Sequence, residues 1–489
     1  MILDRATHEA RIAARSLLDA AGGLVDPTLR LGVTGLSRAG KTVFITSLVQ
    51  ALTSGARLPL FRAHDEGRIA RATLAPQPDD AVPRFEVETH LAALTGPERH
   101  WPQSTRRIAE LRLVMEFQSK GFWGRRFGAS RLTLDIVDYP GEWLLDLGLM
   151  GKSYGVWAAE TVALARTGAR AAVAADWLGY ASTLDPASRE SETEAREAAS
   201  RFTAYLRAAR DARHALSALP PGRFLMPGDL EGSPALTFSP LDVAVDAVPA
   251  PGSLHAMMAR RYDAYVREVV RPFFREHFAR LDRQIVLVDA LSALDAGPDA
   301  VRDLEAALAD VLAAFRHGRS SWIAEIFRPK VDRLLFAATK ADHLHHTSHD
   351  RLEAILGRLV ARASARAGAA GAEVEALALA SVRATREGTV RRNGATLPVI
   401  IGTPQAGQSA GGETFDGARE IAVFPGDLPA DPEMALSPGG FRGRHQGPDA
   451  DLRFVTFRPP LVEPGPWGYA LPHIRLDRAL EFLLGDVLA

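Results

Sequence analysis

The sequence predicts an α/β fold built on a mainly parallel sheet with one antiparallel edge strand. Two observations predict it. Short apolar strands alternate with segments of helical periodicity, the pattern of repeated strand–helix crossovers. Two runs, ELRLVMEF (110–117) and RLTLDIV (131–137), alternate apolar and polar residues across a short loop, which reads as an antiparallel hairpin.

The elements follow in order. Residues 6–21 have apolar positions at helical spacing and read as an amphipathic N-terminal helix within a first unit, 1–28. LRLGVT (29–34) is a short apolar strand that runs into GLSRAGKT and then into the helical pattern VFITSLVQALT. Residues 55–103 carry Pro and Asp clusters and read as a long surface insertion. After the hairpin comes a long helical stretch, with clear runs over 188–219 and 255–280. QIVLVD (284–289) is a buried-type strand, followed by a helix (304–316), the strand RLLFAA (333–338), a helix (351–367) and the strand EALALA (375–380). Short strands and a Pro/Gly-rich loop near 425–450 precede an amphipathic helix, 475–488. The expected organisation is a sheet domain in two parts, 29–175 and 284–385. A large helical insertion (176–283) separates them, and a β-rich C-terminal segment (386–473) follows. The terminal helix (474–489) packs on the sheet domain, because the helix expected after the last strand is missing there.

Composition narrows the function. The chain has 489 residues, 58 Lys+Arg against 59 Asp+Glu and a net charge of −1, so a broad basic surface for nucleic acid is not expected. Cysteine is absent, which excludes disulfides, thiolate metal ligands and cysteine nucleophiles. No apolar run approaches the roughly 18 residues of a spanning helix, and the N-terminus lacks a signal-peptide core. Only five lysines occur (Lys41, Lys120, Lys152, Lys330 and Lys340), so their positions are informative.

Lys41 closes the first chemical motif. Gly35-Leu36-Ser37-Arg38-Ala39-Gly40-Lys41-Thr42 matches G-x-x-x-x-G-K-[ST], between a strand and a helix. Such a loop curls its N–H groups inward around phosphate oxygens and aims a helix N-terminus at them. Gly35, Ser37, Arg38, Ala39, Gly40, Lys41, Thr42 and Val43 are the expected phosphate contacts. Lys41 would reach the β/γ-phosphates and the Thr42 hydroxyl would ligate Mg²⁺. Arg38 could also lean on a phosphate in cis, though a simple loop arginine is the plainer reading.

Asp138-Tyr139-Pro140-Gly141 ends the second hairpin strand. An Asp there can hold Mg²⁺ as in a Walker-B site, and Gly141 can offer its N–H to a γ-phosphate. Glu142 follows, where small GTPases usually place the Gln that orients water; a helix-start Glu is the competing reading. Thr105, just before ELRLVMEF, is the candidate switch threonine for Mg²⁺ and γ-phosphate, with Ser104 and Thr89 as competitors. Lys41, Glu142 and Thr105 are thus the candidate catalytic residues, and Thr42, Asp138 and Thr105 the candidate metal ligands.

Thr339-Lys340-Ala341-Asp342 follows RLLFAA. The Asp342 carboxylate can accept from guanine N1–H and N2–H₂, a donor pair adenine lacks. The Lys340 stem would cover the base, and the backbone of Ser381-Val382-Arg383 would donate to guanine O6.

These ordered motifs, with WPQSTRRIAELRL, DYPGEWLLDL, RQIVLVDALSALDAG, TKADHLHHTSHDRL, ASVRAT and FRPP, make the chain resemble the YcjX-like family of bacterial P-loop proteins. The resemblance spans nearly the whole length. It implies a P-loop NTPase with a Ras-like mixed sheet, GTP/GDP and Mg²⁺ as cofactors, and a link to bacterial stress responses. It implies phosphate contacts at Gly40, Lys41 and Thr42, a magnesium-linked Asp138, and guanine contacts at Lys340 and Asp342. Thr339 departs from the commonest Asn of that motif, and Glu142 from Gln.

The expected activity is hydrolysis of GTP to GDP by a switch protein with an unidentified protein effector. The rivals are a nucleotide-binding scaffold with negligible hydrolysis, and an ATPase. Two weaker features remain. His343, His345, His346 and His349 crowd one segment; His345 and His349, four apart, would share a helix face, with no third metal ligand identifiable. The loop from Lys120 to Phe127, KGFWGRRF, interleaves aromatic and basic residues. That suits an anionic membrane surface or a partner groove, or aromatics folding onto the insertion. The expected location is cytoplasmic, with peripheral contact at the inner membrane through this loop.

Overall fold

The computed structural model describes residues 27–36, 38–103, 107–120, 130–211, 214–313, 331–369, 371–392, 394–410, 413–437, 439–442, 452, 454–466 and 468–489. The N-terminal helix expected over 6–21 lies outside them. The centre is a seven-stranded sheet in the order β2-β3-β4-β1-β5-β6-β7. Its strands are β1 (Thr28–Gly35), β2 (Ile69–Ala75), β3 (Ala109–Phe117), β4 (Ser130–Asp138), β5 (Arg283–Val288), β6 (Arg333–Ala338) and β7 (Glu373–Ala378). β4, β1, β5, β6 and β7 run parallel, and β3 is antiparallel to both β4 and β2.

The hairpin therefore forms, but its antiparallel strand lies one place in from the edge. The outer strand, β2, comes from the segment 55–103 that reads as irregular. IARATLA is an edge strand with mostly half-exposed side chains, so it lacks a strong apolar alternation. A helix, α2 (Val87–Thr95), follows it. β7 also begins and ends two residues earlier than its apolar run suggests. Leu379 and Ala380 continue as connection: Leu379 N–H donates to Ala338 O, and Ala380 bonds Ile474 in both directions.

Alternation along the strands decides what covers each face. On β5, Ile285 and Leu287 join a cluster with Phe44, Ile45 and Leu48 of α1 (Lys41–Thr53) and Leu480, Leu483 and Leu484 of the C-terminal helix. Val286 and Val288 enter the other cluster, with the helical insertion. Burial on both faces is why β5 is continuously apolar from Ile285 to Val288 rather than alternating.

The insertion between β4 and β5 contains α3 (Tyr154–Ala165), α4 (Arg170–Ala181), α5 (Glu192–Arg210) and α6 (Leu254–Tyr265). Ser153, Ser191 and Ser253 cap α3, α5 and α6 by accepting from the backbone N–H three residues on. Its core is aromatic: Trp157 stacks on Tyr262 at 5.0 Å and Trp177 on Tyr205 at 5.2 Å. Downstream lie α7 (Pro298–Ala313) and α8 (His349–Leu359). Beyond β7, β8 (Arg386–Arg392) and β9 (Ala395–Gly402) form a hairpin extended by Ile421–Val423. The C-terminal helix, α9 (Leu476–Leu484), returns to the sheet, where Arg333 donates to Phe482 O at 2.5 Å and Arg283 pairs with Asp486 at 2.7 Å. Among the described residues no helix is long and apolar enough to cross a membrane.

Candidate nucleotide site

Five parallel strands bring their C-terminal ends to one edge, where open α/β sheets bind ligands. Gly35 ends β1, Asp138 ends β4, Asp289 follows β5, Thr339 follows β6 and Ser381 lies just beyond β7. In the sheet register Asp138 stands opposite Val33, two residues before Gly35.

The loop from Gly35 into α1 is tightly curled. Arg38 (φ 63°) and Gly40 (φ 84°) are left-handed, and Phe44 N–H donates to Gly40 O at 2.9 Å. Arg38 is exposed, while Ala39 is buried against Gly35. No side chain caps α1, so its first turn presents backbone donors and positive dipole to a ligand. Lys41 is only 8% exposed; its ammonium sits 3.2 Å from Gly35 O and pairs with no carboxylate among the described residues. A buried cation without an anion is costly, so the position favours an anionic ligand. Ser37 and Thr105, both expected here, lie outside the described residues, as does Ser104; Thr89 is exposed on α2.

Gly141 lies directly against this loop. A Cβ there would fall 1.8 Å from Gly35 O and 3.1 Å from Lys41 Nζ. Gly141→Ala is therefore expected to displace the phosphate loop, weaken nucleotide binding at least tenfold and cost about 1–3 kcal/mol of stability by overpacking. Denaturant midpoints and nucleotide titration check this; unchanged values would remove Gly141 from the site. Thr42 and Asp138, both buried, contribute hydroxyl and carboxylate oxygens, the hard donors that Mg²⁺ takes.

The segment after Gly141 is a buried 3₁₀ stretch, Gly141–Leu149, fastened to the helical insertion. Glu142 pairs with Arg210 at the end of α5 at 2.8 Å. Trp143 Nε1–H donates to Met226 O at 2.8 Å, and the Arg223 guanidinium lies 3.1 Å from the Trp143 ring centroid. Asp146 accepts from Gly222 N–H and from Tyr265 O–H, each at 2.7 Å. Burial pushes the Asp146 carboxyl up to about 6, against the pull of those two donors and Arg223.

A raised folded-state value makes protonated Asp146 the stabilising form. That contribution is complete below the unfolded value near 3.9 and is lost as pH rises through about 6. Asp146→Asn is expected to flatten this part of the pH profile: its denaturation midpoint should change less between pH 4.5 and 7 than the parent's. Parallel profiles would refute the assignment.

The second turn holds the base-reading candidates. Asp342 is 3% exposed; its Oδ2 accepts from Ala384 N–H at 2.9 Å, and its Oδ1 faces His343 Nδ1 at 3.3 Å. Burial alone would raise its carboxyl, but His343 and the Ala384 N–H outweigh it and hold it below the usual range. Thr385 Oγ1–H donates to Asp342 O at 2.5 Å. Lys340, left-handed at φ 63°, reaches Asp289 at 2.5 Å and lies 5.6 Å from the Phe454 ring centroid. Asp289 also caps the helix after β5, through Ser292. Thr339 does not span to the phosphate loop: its N–H (2.9 Å) and hydroxyl (3.4 Å) both point at Val288 O.

Of the tripeptide after β7, Arg383 has its N–H committed to Pro472 O at 2.6 Å, so it is not the donor to a base carbonyl. Val382 is buried with Leu94 and Leu471, and Val43 packs against that cluster. The two turns are thus joined through side chains at the start of α1. Arg210 belongs to this arrangement without lying in any motif, while Asp289 and Ala384 lie in the strings RQIVLVDALSALDAG and ASVRAT but carry no role there.

Outside the site, Lys120 pairs with exposed Glu66 at 2.6 Å; the rest of the aromatic–basic loop through Phe127 lies outside the described residues.

The sequence profile of the YcjX-like family, DUF463, matches residues 29–488. The Ras-like GTPase YcjX of Escherichia coli strain K12 is 39% identical over 474 residues, covering 95% of this chain and 97% of that protein. The Ras-like GTPase YcjX of Shewanella oneidensis is 35% identical over 511 residues, covering 100% and 99%. From the phosphate loop to the terminal helix, the chain belongs to the YcjX-like family.

Proposed function

We propose that the chain binds GTP and GDP with Mg²⁺ at the C-terminal edge of the sheet and hydrolyses GTP. The observation that carries this reading is the buried Lys41, which meets no carboxylate among the described residues, beneath an uncapped helix start and on the same sheet edge as the ionised Asp342. Thr42 and Asp138 would hold Mg²⁺, which supplies charge neutralisation on the phosphate oxygens. Gly141 would offer its N–H to the γ-phosphate, while Lys340 and Asp342 would select guanine. Titration with GTP, GDP and ATP in Mg²⁺ tests it: guanine nucleotides should bind at least 100-fold tighter than ATP, and equal affinities would overturn the guanine assignment.

The Glu142–Arg210 pair favours a second reading, binding with negligible hydrolysis. Glu142 is spent on the helical insertion rather than available to a water. Single-turnover phosphate release separates the readings; a rate equal to that of Lys41→Ala would establish the scaffold.

Arg210 has its own expected effect. Without it Glu142 would be a buried, uncompensated carboxylate beside Gly141, repelling a γ-phosphate. Arg210→Ala should weaken GTP about tenfold relative to GDP, and adding Glu142→Gln should restore the ratio. A ratio unchanged in Arg210→Ala would show that the pair does not sense the γ-phosphate.

A further inference from the structure

The crowded histidines gain their missing partner from the β-rich segment. His345 and His346 open the 3₁₀ turn His346–Ser348, and Glu387 stands on β8, forty-one residues away. Their ligand atoms all lie within 4.8 Å of one another. The His345 and His346 rings are 4.2 Å apart, and His346 Nδ1 is 2.7 Å from Glu387 Oε2. The pair suggested by helical spacing does not form: His349 is buried at the start of α8 with Nε2 3.4 Å from Leu344 O.

We propose that His345, His346 and Glu387 form a binding site for a borderline divalent cation of the zinc type. Two imidazoles and one carboxylate are a zinc donor set that leaves a fourth position for water. Ligands at about 2.0–2.2 Å in tetrahedral array stand roughly 3.3 Å apart. The observed separations bracket that value, and His346 is exposed enough to swing into place.

The surroundings orient the ligands. His345 Nδ1 accepts from Thr347 N–H at 3.5 Å and lies 3.1 Å from Thr347 Oγ1, so this nitrogen is held by Thr347 and Nε2 is the one turned to the ion; coordination would move the ring proton to Nδ1, where Thr347 Oγ1 can accept it. Arg383 lies 3.5 Å from Glu387 Oε1, leaving Oε2 for the ion. The ion would tie together the two segments that hold Asp342: the turn running on from it and the strand that begins directly after Thr385.

Untagged full-length protein, stripped with chelator and free of nucleotide, is titrated with Co²⁺ and then with Zn²⁺. One Co²⁺ per chain with the intense visible absorption of four-coordinate cobalt, displaced by Zn²⁺, is expected. His346→Ala and Glu387→Gln should each weaken uptake at least tenfold, whereas Asp138→Asn should not change it. All three ligands are at the surface or half-buried, and circular dichroism checks that the variants are folded. Absence of uptake, uptake equal in the His346→Ala and Glu387→Gln proteins, or uptake lost in Asp138→Asn, would each overturn the site.

Discussion

Lys41→Ala is expected to weaken GTP and GDP binding by about 10²- to 10³-fold, roughly 3–4 kcal/mol, without destabilising the nucleotide-free fold. The two halves of this expectation have one cause. In the free chain the ammonium is nearly buried, held by Gly35 O, and faces no carboxylate among the described residues. Its desolvation is unrepaid there, so deletion relieves a cost as well as losing one hydrogen bond. In the complex the same desolvated charge meets phosphate oxygens, where a charge-assisted bond is strongest. A purely structural lysine would behave in the opposite way, losing stability first. Calorimetric titration with both nucleotides and a denaturation midpoint without them distinguish the two. Binding within threefold of the parent protein, or a large fall in the midpoint with binding retained, would refute the phosphate role.

Much of the fold was legible because each central strand is short, apolar and next to a helix, and the hairpin alternates cleanly. What stayed hidden has physical reasons. β2 is an edge strand with a half-exposed face, so nothing in IARATLA demands burial. The attachment of Gly141–Leu149 to the helical insertion rests on pairs far apart in sequence. Examples are Glu142 with Arg210, Asp146 with Tyr265, and Trp143 with Met226. No local pattern marks Arg210 among the arginines of α5. For the phosphate loop the spacing of glycines and one lysine dictates the backbone, so sequence and geometry carry the same information. In the base-reading turn the motif positions Asp342, but the groups that hold its carboxylate, Ala384 and His343, emerge only in three dimensions. Glu387 was hidden for the same reason as Arg210: its histidine partners are on another element.

Asp342→Asn is expected to reverse base preference, lowering GTP affinity about 10²- to 10³-fold while raising xanthosine triphosphate affinity above it. Guanine presents N1–H and N2–H₂ to a carboxylate that accepts from both. An asparagine turns one acceptor into a donor, which meets the guanine amino group head-on but matches the C2 carbonyl of xanthine. The surroundings of Asp342 make the exchange tolerable. Its Oδ2 is fixed by the Ala384 N–H, a bond that an amide oxygen keeps. The other position faces His343 Nδ1 at 3.3 Å, a contact that an amide N–H keeps when that nitrogen accepts. The variant should therefore fold, and the gain with xanthosine nucleotide is a signal that misfolding cannot produce. Competition titration of GTP against xanthosine triphosphate, in Mg²⁺ and at one pH, reads the ratio directly. Unchanged GTP affinity would show that Asp342 does not read the base. Loss of both nucleotides in a protein with native circular dichroism would mean that the carboxylate holds the turn through Ala384 and His343 rather than touching guanine.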